Sequence, residues 1–233
     1  VSATSKPTPP EQLAAEQPGG ERDTARRRRT RARLMDAAYR LFSEHGVNGT
    51  SIEAIADEAG FSRGAFYSNF ESKTELFFAL AQRENQARLE DLRERVTDLL
   101  RPLRESSGKP GQDVIENVLA DIFALQPDNR QWVLMHSEFR LLALRDPAVA
   151  PRFLESQRTF QRQLAEVTAT AIESVGLRIV MEPLHLTRVL VDQYESAMQE
   201  ALLSQADDPE QVARDTVMKV LPPLVHHLTE VAE

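Results

Sequence analysis

"TSIEAIADEAGFSRGAFYSNFESKTEL", residues 50 to 76, is a short helical module with its own punctuation. Thr50 and Glu53 stand at capping-box spacing, and so do Ser72 and Glu75. Ile52, Ile55, Ala56 and Ala59 recur on one helical face, and Gly60 stops that helix within a few turns. A second short helix follows from Ser62 to Asn69 and contains no acidic residue. The spacing predicts two helices joined by a tight glycine turn, a helix-turn-helix. Ala56 is small where the helices cross, and Phe61 and Phe66 point into the core. Ser62, Arg63, Gly64, Ala65, Tyr67, Ser68 and Asn69 are left facing outward.

These outward residue types suit double-stranded DNA. A helix fits the major groove, and its first residues reach the base edges. Arg63 has the donors for a guanine or a phosphate. Gly64 and Ala65 let the helix approach closely, and Tyr67 and Ser68 offer hydroxyls to phosphates. Lys73, at the start of the next helix, and Thr50 and Ser51, at the start of the preceding one, are placed to hold the backbone on either side. Just upstream, "RRRRTRAR" (Arg26 to Arg33) holds six arginines without an acid. Arg29 and Arg31 lie in this tract, which reads either as an arm on the phosphates or minor groove or as a solvated charge run.

The chain carries a net charge of −8, but unevenly. Residues 1–73 hold 11 basic and 10 acidic residues, and the rest holds 17 basic and 26 acidic. A local basic patch still binds a polyanion, because salt confines the opposing field to about 8–10 Å. With 233 residues, 41% hydrophobic and only 9 glycines, the chain has material for a large helical core. Cysteine is absent, so disulfides and thiol chemistry are excluded. No apolar run is long enough to span a membrane, and no export signal opens the sequence, so a cytoplasmic location is expected.

Periodicity predicts an all-α protein of about nine helices. Residues 1–24, rich in Pro, Ser, Thr, Glu and Gln, read as a disordered tail. The first helix covers 26–45 and ends at Gly46; the second starts at Thr50; the third spans 62–69; the fourth runs over 72–100. "RPLRESSGKPGQ" (101–112) is a linker. Further helices are expected at 113–126, 128–145, 148–175, 183–204 and 209–229. Asp208 caps the last, with Pro209 in its first position, and Pro222 and Pro223 kink or interrupt it. No strand is expected.

Over residues 30–80 the chain resembles the DNA-binding domain of the TetR family of bacterial repressors, close to the family pattern and without a gap. The resemblance implies a helix-turn-helix domain at 25–71 and an effector-binding and dimerisation domain at 72–233. It makes residues 62–69 the recognition helix, and it puts Tyr67 on the family's phosphate-contacting tyrosine and Lys73 on its lysine at the start of the fourth helix. Asn69 departs from it, standing where many members have histidine. The implied function is a sequence-specific transcriptional regulator, a ligand-responsive repressor that binds a palindromic operator as a homodimer. No cofactor is implied beyond a small effector.

For that effector the sequence offers Trp132, Met135, His136 and Phe139 on one face of the sixth helix, Gln193, Tyr194 and Met198 on the eighth, and Phe123 on the fifth. Together they suit a small hydrophobic or aromatic ligand; each taken alone is also ordinary core. For the dimer, the apolar faces at Leu186, Val189, Leu190, Ala197 and Ala201, and at Val217, Leu221 and Leu224, fit a four-helix interface or intrachain packing. No hydrolase elbow, phosphate-binding glycine loop or zinc-binding His pair is found, so an enzyme is not expected. The acidic second part argues against an architectural DNA-binding protein.

Overall fold

A computed structural model describes residues 18–104, 111–124 and 129–232. Ten helices and a two-stranded ribbon form them: α1 (Pro18–Gly49), α2 (Ile52–Glu58), α3 (Arg63–Tyr67), α4 (Lys73–Arg104), α5 (Gln112–Ala124), α6 (Asn129–Arg145), α7 (Ala150–Glu173), β1 (Leu177–Ile179), α8 (Pro183–Leu203), α9 (Pro209–Met218), α10 (Leu221–His227) and β2 (Thr229–Val231).

The expected tail falls partly outside the description, at residues 1–17, but from Pro18 onward the chain is helical. Once the head nucleates α1, Arg- and Glu-rich sequence extends it cheaply toward the N-terminus, where proline is tolerated in the first turn. Gly46 breaks the helical path with φ +73°, and Thr50 closes the corner by donating to the Gly46 and Leu41 carbonyls. Thr50 is therefore no cap. Ser51 takes that role, one residue later, accepting from the Ala54 amide at 3.0 Å. At the far end of α2 the Phe61 amide donates to Ala56 and the Gly60 amide to Asp57, with Gly60 at φ +70°, a left-handed turn that spares a side chain the Cβ clash.

The strandless expectation fails at the C-terminus. Leu177–Ile179 pairs antiparallel with Thr229–Val231, and this ribbon ties the end of α7 to the end of the chain. The expected last helix is split. Asp208 caps α9 through the Gln211 amide, and the Pro222–Pro223 pair starts α10 as a separate element.

The main core runs through both halves. Leu34, Ala38, Phe42, Ile55, Phe66 and Phe70 of the head are continuous with Leu76, Phe77 and Leu80 of α4 and with Met135, Phe139 and Phe153 of α6 and α7. A second cluster joins Val133 of α6 to Ala197, Met198, Ala201, Ala213, Val217 and Leu221.

Candidate nucleic-acid interface and the cavity behind it

The turn between α2 and α3 sets the outward face of α3. Phe66 is fully buried and anchors the helix, with Phe70 beneath it at 5.9 Å between ring centroids. Ser62 caps α3 by accepting from the Ala65 amide. Ser62, Arg63, Gly64, Tyr67 and Ser68 are exposed, and Ala65 and Asn69 are half-buried. The helix thus presents a small, acid-free surface one to two turns long.

Several predicted contacts carry other duties. The Lys73 ammonium donates to the Val47 carbonyl at 2.8 Å and the Thr50 carbonyl at 2.6 Å. It ties the start of α4 to the α1–α2 corner, and this clamp precedes any phosphate contact. Thr50 is buried with its hydroxyl spent on α1. Arg31 donates to the Asn69 carbonyl and lies over the Phe70 ring, so it braces the end of α3. Arg26 to Arg29 are exposed on the outer turns of α1. Arg63 pairs with Glu53 at 2.6 Å and lies along Tyr67, so it must change partner to reach DNA.

Behind the head, a cavity of about 300 Å³ opens between α4, α5, α6, α7, α8 and the terminal ribbon. Its walls are mostly aliphatic, with Leu92, Val96, Leu119, Leu164 and Val167 among them. Of the predicted ligand residues, Trp132 and Tyr194 line it. His136 lines a small adjoining cleft that shares Trp132, Phe160 and Glu195 with the cavity. Met135 and Phe139 do not: both are buried in the main core, where Phe139 stacks on Phe77. Met198 belongs to the second core, and Gln193 is exposed on the outer side of α8. The side chain of Phe123 lies outside the described residues. Arg88, Thr187 and Phe160 were not anticipated. For Arg88 a signal existed, since a charge four residues before Leu92 interrupts the apolar stripe of α4.

Burial pushes the Tyr194 hydroxyl up to about 12, assisted by the Glu210 charge against those of Arg88 and Arg214. Burial also holds the His136 imidazole below its ordinary value, more than the nearby Glu195 carboxylate raises it. Glu195 is paired with Arg140. Among the described residues no three His, Asp or Glu side chains gather around a metal-sized site, and no helix is long and apolar enough to cross a membrane.

The predicted dimer residues mostly serve this chain's own packing. Leu186 is a fully buried cavity wall and Leu190 a partly buried one. Ala197, Ala201, Val217 and Leu221 are buried in the second core, with Leu224 packed against it. A side chain already covered has no area left for a partner. Val189 remains exposed, as do Leu203, Val212 and Val220 nearby in sequence.

Comparison with known proteins finds its family match in the head. The family model for "Bacterial regulatory proteins, tetR family" matches residues 34–80. The transcriptional repressor AcnR of Corynebacterium diphtheriae is 27% identical over 136 residues, covering 58% of this chain and 62% of that protein. The transcriptional regulator AcrR of Shigella flexneri is 50% identical over 48 residues, 21% of this chain and 22% of that one. The chain thus spans less than two thirds of either relative. A crystal structure from Mesorhizobium loti, described as a TetR-family transcriptional regulator, superposes with a TM-score of 0.64 over 88% of this chain and 99% of that one, at 20% identity. With the matched segment falling on α1 to α4 and the fold shared along most of the chain, the head is a DNA-binding domain of the TetR family of bacterial regulatory proteins.

Proposed function

We propose that the chain is a ligand-responsive transcriptional repressor that binds a palindromic operator as a homodimer, reading each half-site with α3. One observation carries the ligand-responsive part: α6 touches both the cavity and the head. Trp132 and Val133 line the cavity. One to two turns on, the Glu138 carboxylate accepts the Val47 amide at 2.5 Å, and Phe139 packs against Phe42 and Phe77. A Cβ at Gly46 would run into that same carboxylate. A ligand that displaces Trp132 therefore moves a rigid helix whose other end holds the corner of α1.

Helix α4 offers a parallel route, with the Lys73 clamp at one end and wall residues Arg88 to Leu100 further along. The effector acts by population shift, favouring a conformer whose two α3 helices no longer match half-sites about 34–36 Å apart. Moving that equilibrium from one extreme to the other takes about 5.5 kcal/mol of differential binding. The partner subunit is expected to cover Val189, Leu203, Val212 and Val220, the apolar side chains that α8, α9 and the α9–α10 junction leave exposed.

The test is selection of duplexes from a random DNA pool by the purified protein. An enriched inverted repeat, bound with two chains per duplex, is the expected result. Enrichment of nothing, with binding lost at physiological salt, overturns the specific-reader assignment. In the same assay Glu138→Gln should leave operator binding measurable and weaken its response to any ligand that releases the native protein.

A further inference from the structure

The cleft beside the aliphatic cavity has a different chemistry from it. Each of α4, α6, α7 and α8 supplies it with a pair of residues four positions apart, such as Ala81 and Asn85 on α4 and Val191 and Glu195 on α8, so each helix turns one face to it. Trp132, Phe160, Val191 and Glu195 line both spaces. Phe77 and Phe78, which belong to the core shared with the head, line the cleft and not the cavity. The cleft therefore touches the cavity through one set of side chains and the core of the head through another.

What the cleft offers is acceptors. The Asn85 Oδ1 is buried and has no hydrogen-bond partner among the described residues. Glu195 pairs with Arg140 through Oε2. Its other oxygen, Oε1, stands 3.8 Å from the His136 Nδ1, beyond hydrogen-bond reach. Burial holds His136 below its ordinary 6.5, so at neutral pH its ring brings no charge. Gln161, 8% exposed, completes the α7 side.

A buried acceptor left unpaired costs free energy, and an apolar group cannot relieve it. A carboxylate cannot relieve it either, since it donates nothing and would set a second anion beside Glu195. Glu195 already has its counter-charge in Arg140, so the cleft calls for a donor and not for a cation.

We propose that this cleft is the head-group site of an amphiphilic ligand: a neutral donor, such as a primary amide, hydrogen-bonds to the Asn85 Oδ1, and the apolar remainder of the ligand lies in the aliphatic cavity. The head group then sits against Phe77, Phe78 and α6, the side from which the head is reached. This deepens the ligand-responsive reading above and rests on it only for the consequence on DNA, not for binding.

Trp132 is the only tryptophan of the chain and lines both spaces, so its fluorescence reports occupancy directly. The test titrates the full-length protein with decanamide, N,N-dimethyldecanamide and decylammonium, and follows operator release separately by anisotropy. The two amides share a chain and a carbonyl and differ in their N–H donors. Decanamide should bind about tenfold more tightly than its dimethyl form, the worth of one hydrogen bond. Decylammonium must shed the hydration of a charge and should bind more weakly than decanamide. Asn85→Leu, which keeps the branching and removes the acceptor, should abolish the tenfold preference. Thr187→Val changes another buried hydroxyl without a partner among the described residues, but in the wall of the larger cavity, and should preserve the preference.

Equal binding of the two amides, an Asn85→Leu protein that keeps the preference, or a Thr187→Val protein that loses it overturns the proposal. So does an ammonium that binds more tightly than decanamide, or a Trp132 signal that no probe moves. Decanamide that binds with the expected signature but never releases operator leaves the head-group site standing and sinks the ligand-responsive reading. Release of operator by a ligand of another class, with neither amide bound, does the reverse.

Discussion

The head closes around fully buried Phe66 and Phe70, whereas the C-terminal domain holds about 300 Å³ open between its helices. Both are built from amphipathic helices with aliphatic and aromatic stripes. They differ in what the packing is for. A helix that reads base edges must hold its side chains in one place, and dense packing achieves this. A domain that admits a ligand must leave its wall side chains short of neighbours, and it gives up stability in doing so. The two meet at Phe139, which α6 pushes into the head's core while Trp132, two turns earlier, faces the cavity.

The sharpest way to break this comparison is to truncate one side chain from each region. Phe66→Ala should cost about 3–5 kcal/mol and unfold the head cooperatively with α4. Leu164→Ala, in a wall already facing open space, should cost less than the roughly 2 kcal/mol at the low end for a packed leucine. Denaturant melts decide; equal costs would mean that the cavity is closed in solution.

Lys73 and Tyr67 separate structure from contact within the head. Lys73→Ala removes two charge-assisted hydrogen bonds to the α1–α2 corner, worth about 1.5–3 kcal/mol each, and should lower both the melting temperature and DNA affinity. Tyr67→Phe removes an exposed hydroxyl whose partner is the neighbouring Arg63 guanidinium, a long hydrogen bond of 3.4 Å. It should leave the melt unchanged and weaken DNA binding on every sequence. A Lys73→Ala protein that melts like the native one would show the clamp to be idle.

On the cavity side, His136 sets a pH dependence. Its imidazole is held below the ordinary 6.5 by burial, with Glu195 on α8 opposing and Arg140 on α6 assisting. Above that pH the folded and unfolded chains are both neutral at this site. Below it the unfolded chain takes up a proton that folded His136 refuses, so stability falls as the solution is acidified. Melts at neutral and mildly acidic pH should show this loss, and His136→Gln should reduce it. The smallest effect belongs to the rim of the head. Glu53→Gln frees Arg63 from a solvent-screened ion pair, and should tighten operator binding a few-fold in a titration at low salt.

How legible each region was follows from the range of its determining contacts. In residues 50 to 76 the signals are local. Gly60 and Ser62 act through partners within a few positions, so their roles could be read directly, although the cap of α2 slipped from Thr50 to Ser51 because Thr50 is drawn into the α1 corner. In the C-terminal domain the spacing of Trp132, Met135, His136 and Phe139 correctly groups them near one face. It cannot reveal that α6 lies between two neighbours and divides that face between cavity, cleft and core. Likewise the apolar stripes of α8 and α9 signal burial without naming the partner, and Ala197, Ala201 and Val217 find theirs within the chain.

By itself the sequence determined the helical class, the helix-turn-helix with its acid-free outer face, and the stop at Pro222–Pro223, because propensity, capping and proline geometry act between near neighbours. Only the tertiary structure decided that Lys73 is a clamp, that Glu138 reaches the Val47 amide, that Leu177–Ile179 finds a strand some fifty residues away, and that the Thr187 hydroxyl, in a cavity wall, finds no hydrogen-bond partner among the described residues. Each depends on which distant surfaces meet, and hydrophobic burial, being non-directional, leaves that choice to the packing of the whole chain.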